Sequence, residues 1–175
     1  MSRTVFCVLL LVSAAPAVAA STRQVDIACE VTMPNGIGIG GESRLGVHGN
    51  GRIQVGLWLD GVTLIGRQSR GSAFVTSAGE LGTHFLWRRD IPGPMTLSGR
   101  RLDGPAPPMR SFIHDPDTMD GFLSTSAMFP TAGCWEVTGR VGQTSLTFVT
   151  QVVQVGDELP SRHDPGEPIA PGMAR

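Results

Sequence analysis

Apolar and polar residues alternate one by one along much of this chain, and glycine or proline interrupts the alternation before any stretch reaches helical length. Val25, Ile27, Cys29 and Val31 alternate with Asp26, Ala28 and Glu30; Ile53, Val55, Leu57 and Leu59 share one side of residues 52–59. Thr83, Phe85 and Trp87 oppose His84, Leu86 and Arg88. A period of two marks a half-buried strand. Nowhere beyond residue 20 do apolar residues recur convincingly at helical spacing. With 23 Gly and 13 Pro in 175 residues, a helix would repeatedly meet a residue that costs its interior, ~1 kcal/mol for Gly and ~3 for Pro. The chain therefore reads as all-β, with about eight or nine strands at ~8–12-residue spacing. Strands with one apolar face each must close on a second layer. That predicts an immunoglobulin-like β-sandwich, with a small barrel as the alternative.

Turn chemistry supplies the punctuation. Met33-Pro34-Asn35-Gly36 ends the first strand, and His48-Gly49-Asn50-Gly51 reads as a turn. Asp60-Gly61 between two apolar alternations predicts a hairpin joining residues 52–59 to 62–65. Gly142-Gln143 predicts a final hairpin between residues 134–141 and 144–155. Pro105, Pro107 and Pro108 lack three donors, so this segment must run along an edge or between sheets. The Gly/Ile run at 36–41 has no strand–helix context and is not a phosphate loop.

Residues 1–20 have the three parts of a secretory signal peptide: Arg3, an apolar run from Val5 to Ala15, and small residues after Pro16. The run is shorter than the roughly 20 residues that span a bilayer; an N-terminal anchor is the alternative. Cleavage is expected after Ala19 or Ala20 and would remove Cys7. No Cys follows the small residues directly, which disfavours a lipoprotein linkage. Cys29 and Cys134 then remain in an oxidising compartment, where an isolated pair reads as a disulfide joining two sheets; two buried free thiols are the alternative. Residues 21–158 form the predicted β-sandwich domain, and 159–175, rich in proline, a disordered C-terminal tail. The 14 basic residues are all Arg, but the net charge of −1 leaves no electrostatic footprint for nucleic acid. No transmembrane span is expected after signal cleavage.

Three stretches carry a family likeness. They are residues 92–108, the segment Gly133-Cys134-Trp135-Glu136-Val137-Thr138 with its flanks, and His48-Gly49-Asn50-Gly51 with Leu57-Trp58-Leu59-Asp60-Gly61. Together they resemble a group of uncharacterised exported bacterial proteins, lipoprotein-like or periplasmic, with an immunoglobulin-like sandwich. The resemblance covers most of residues 25–155. It implies fold and location, and no catalytic residues.

Candidate chemistry is sparse. His114 heads a loop with Asp115, Asp117 and Asp120, whose spacing is out of step with an EF-hand, so a solvated turn is the better reading. His48, His84 and His114, with scattered methionines, are the donor types that copper takes, but no pair has compact spacing. Trp58 and Trp87 with Arg88 and Arg89 offer a stacked cationic patch for a glycan or peptide; the alternative is a packed Trp and a solvated edge. Neither G-x-S-x-G nor H-E-x-x-H occurs. The expectation is an exported, non-catalytic interaction or structural module, without cofactor, that engages a protein or envelope partner. The alternatives are a periplasmic copper-binding protein and a hydrolase without a recognisable motif.

Overall fold

A computed structural model describes residues 28–58, 60–66, 73–114, 121–155 and 165. The predicted signal peptide, Asp115, Asp117, Asp120 and, apart from Pro165, the predicted tail lie outside the described residues. One 3-10 turn, Ile39–Gly41, precedes the strands β1 (Val47–Gly49), β2 (Ile53–Gly56), β3 (Val62–Ile65), β4 (Phe74–Val75), β5 (Leu81–Arg89), β6 (Met95–Arg101), β7 (Arg110–His114), β8 (Phe122–Phe129), β9 (Gly133–Val141) and β10 (Thr144–Gln154). They form two sheets. One is ordered β1-β2-β5-β8-β7, with β4 also paired to β5; the other is ordered β3-β10-β9-β6. The protein is an all-β sandwich.

The alternation read from the sequence decides what lies between the layers. β5 turns Phe85 and Trp87 inward, β8 Leu123, Thr125, Ala127 and Phe129, and β9 Trp135, Val137 and Val141. The Trp87 indole is fully buried and donates its N–H to Thr125 Oγ1 at 3.2 Å. Trp135 donates to the Thr131 carbonyl at 3.0 Å. A glycine sits inward at position 139 because the Trp87 ring lies over it: a Cβ there would be 2.7 Å from ring carbons. The β9–β10 hairpin turns at Gly142-Gln143 with Val141 opposite Thr144. The proline-bearing segment leaves β6 and enters β7, so it runs between sheets.

Three sequence expectations are corrected. Asp60-Gly61 does turn the chain: Gly61 has φ +67° and Asp60 Oδ1 accepts the Val62 N–H at 3.1 Å. It does not make a hairpin, because β2 is already flanked by β1 and β5. β3 instead crosses to the other sheet and pairs parallel with β10, where Thr63 and Thr150 share a buried 2.8 Å hydroxyl bond. The second correction explains the first. Residues 47–49, whose last two were assigned to a turn, form β1 and occupy that edge of β2; Asn50 Oδ1 then turns the chain by accepting the Arg52 and Ile53 N–H groups.

The third correction concerns the N-terminal segment. Residues 28–31 belong to no strand, and residues 25–27 lie outside the described residues. β3 occupies the edge of β10 from Gln151 to Gln154, and short of it Val149 exchanges two bonds with Thr32 (2.8 and 2.9 Å). Cys29 is bonded to Cys134, with 5.4 Å between the Cα atoms. Because Trp135 faces the core, its neighbour Cys134 faces outward. The disulfide is present but does not join the two sheets: it pins the leading segment to the outer face of the four-stranded sheet.

Candidate functional site

Outer-face positions of the six-stranded sheet follow from the same alternation. They are His84, Leu86 and Arg88 on β5, Phe122, Ser124, Ser126 and Met128 on β8, and Arg110, Phe112 and His114 on β7. Register places His84 and Phe112 on either side of Ser126, and Leu86 and His114 on either side of Ser124. Three strands thus bring together two histidines that are 30 residues apart in the chain.

Both imidazoles point at one atom. His114 Nε2 lies 2.8 Å and His84 Nδ1 3.1 Å from Ser126 Oγ. A hydroxyl has one proton, so it donates to one ring and accepts an N–H from the other. The ring centroids are 5.5 Å apart, with Phe74 5.1 Å from His84 and Phe112 4.8 Å from His114. Phe74 reaches this position because residue 82 is glycine; a Cβ there would be 2.2 Å from the Phe74 ring. An ion pair between Arg110 and Glu80, 2.7 Å, lies along the same face. A histidine beside a serine is the beginning of a nucleophilic pair. Ser126, however, has 0% exposure, so in this geometry a substrate carbonyl has no path to Oγ.

Around this cluster three large apolar side chains stand exposed among polar ones. Leu86 is 57%, Phe112 39% and Phe122 36% exposed. Arg88 stacks over Phe122, 5.2 Å from the ring centroid. A depression of about 390 Å³ opens beside Phe112, Met128 and Arg110 and is reached by Pro165.

No protein-family model matches the chain, and no curated protein matches it significantly.

The remaining sequence candidates are dispersed. Trp87 lies in the core, whereas its neighbour Arg88 faces outward, since consecutive strand residues point to opposite faces. Arg89 turns toward the end of the sheet and donates to the Ile91 carbonyl at 2.7 Å. Trp58 is partly exposed on the crossover between sheets and lines a second depression, about 110 Å³, with Asp60, Val62 and Leu64. The four residues form no common patch. His48 sits on β1, and burial pushes its imidazole below the ordinary histidine range, against smaller opposing effects of backbone groups at Thr147 and Met33. Among the described residues no group of three or more His, Cys, Asp or Glu could hold a metal ion, and no helix is long and apolar enough to cross a membrane. Ser126 was not singled out in the sequence as a partner of either histidine. Residues 122–129 carry apolar side chains at both odd and even positions, so neither its face nor its register against β5 and β7 was legible.

Proposed function

We propose that this protein is an exported, non-catalytic interaction module that binds a protein partner of the envelope or extracellular space through the outer face of its six-stranded sheet. One observation carries the reading: the two outer faces differ. On the four-stranded sheet, β6 and β9 present Thr96, Ser98, Arg100, Glu136, Thr138 and Arg140, with Arg100 and Glu136 paired at 2.8 Å. This is the polar outer surface that a sandwich ordinarily has. The six-stranded sheet places Leu86, Phe112 and Phe122 in the corresponding positions, beside a depression. Clustered exposed apolar side chains with aromatic and Arg content are the composition of an interface core.

The Cys29–Cys134 disulfide supports an oxidising compartment and agrees with the signal-like first twenty residues. Strand order supports the immunoglobulin-like reading. β2-β5-β8-β7 and β6-β9-β10 follow the A-B-E-D and C-F-G orders of that architecture, while β1, β4 and the outer-face disulfide are departures from it.

The test places a photo-crosslinking amino acid at Leu86, at Phe112 or at Thr138 in cells that make the protein. The expected result is one discrete adduct from Leu86 and from Phe112, lost in F122R, and none from Thr138. The same adducts from all three positions, or none from any, refute the reading.

A further inference from the structure

We propose that His84 and His114 form a binding site for a late first-row transition-metal ion, Cu(II) in preference to Zn(II), with solvent completing the coordination. The site lies on the same sheet face as the proposed interface, but it requires no part of that reading.

The geometry supplies the argument. Two imidazole nitrogens from different strands aim at one point, 2.8 and 3.1 Å from the same oxygen. Their rings are set by packing: Phe74 stands against His84 and Phe112 against His114. Packing thereby holds both rings on the rigid part of a sheet, and the nitrogen that donates its N–H to Ser126 Oγ gives up that proton on binding. Metal–nitrogen bonds of ~2.0–2.1 Å require each lone pair to point at the ion and not at the hydroxyl. Binding therefore turns both rings off Ser126 Oγ, with the ion on its solvent side.

The donor set selects the ion. Imidazole nitrogen suits copper, nickel and zinc, and Cu(II) binds most tightly in that series. The neighbouring cation Arg110 is neutralised by Glu80. Each ligating nitrogen must be free of its proton, so binding releases protons and weakens in acid.

The experiment titrates the purified mature protein with Cu(II), read by calorimetry and by electron paramagnetic resonance. One ion per chain is expected, with hyperfine coupling from two imidazole nitrogens. His84→Gln and His114→Gln each weaken binding at least about tenfold, while His48→Gln and His163→Ala leave it unchanged. Zn(II) competes only at higher concentration. Circular dichroism of each variant establishes that the sandwich is intact. For folded variants, an absence of saturable binding in the wild type, a site that survives both glutamine substitutions, or one abolished by His163→Ala overturns the proposal. Should either glutamine variant fail to fold, the nitrogen count in the wild-type spectrum decides: two imidazoles uphold the site, and none or one refutes it.

Discussion

Replacing Cys29 and Cys134 together by serine removes a link between residues separated by 105 positions. The chain-entropy argument gives ~4.7 kcal/mol for closing a loop of about a hundred residues in the unfolded ensemble, and measured values for native disulfides centre on ~2–4. The lower range applies here for a structural reason. The segment pinned by Cys29 is held otherwise by two bonds between Thr32 and Val149 and by Val31 against Gly61. At a net ~1 kcal/mol per hydrogen bond, it can detach while both sheets persist, so part of the constraint acts on a local opening. The expected loss is about 3 kcal/mol, or roughly 10 °C in Tm for a domain of this size. Urea unfolding followed by tryptophan fluorescence measures it, because Trp87 and Trp135 are buried. Hydrogen exchange should show the Val149 amide losing protection while the amides between β5 and β8 keep theirs. A double variant within about 0.5 kcal/mol of the parent refutes the argument.

Other outcomes follow from the core and from one histidine. Thr125→Val strands the Trp87 N–H in the interior and should lower stability by ~1–3 kcal/mol in the same unfolding assay. Gly139→Ala drives a methyl into the Trp87 ring and the Met95 methyl and should cost about 1–3 kcal/mol. The two changes meet at one indole, so the double variant should lose less than the sum. Burial lowers the His48 pKa from 6.5, so the folded state takes up its proton less readily than the unfolded chain. The stabilisation is present above the unfolded value and is lost as pH falls through and below it. Urea midpoints compared at about pH 7.5 and 5.5 should therefore show a shallower acid loss in His48→Gln than in the parent.

What the sequence revealed and what it concealed divide along a physical line. Alternation in residues 81–88 separated the two faces of a strand because burial on one side imposes a period of two. The last hairpin was legible because Gly142 accepts φ +56° and directly joins its two partners. Asp60-Gly61 carries the same local chemistry, yet its flanking strands lie in different sheets; which edge of β2 is free depends on β1, three residues whose glycine and histidine suggest a turn. Turn residues specify a reversal, not the strand that receives it. The histidine cluster was hidden for a related reason. His84, His114 and Ser126 were each visible, but their convergence depends on the register among β5, β8 and β7, which is settled by packing across the sandwich.

The placement of the disulfide has a consequence for biogenesis. Cys29 is made early, whereas its partner stands on β9, the penultimate strand, and the leading segment finds its other anchor only at Val149 on β10. The surface that aligns the two thiols is completed by the last two strands, so the native pairing has its full geometry only when both are in place. The bond is a latch on sheets that are already whole.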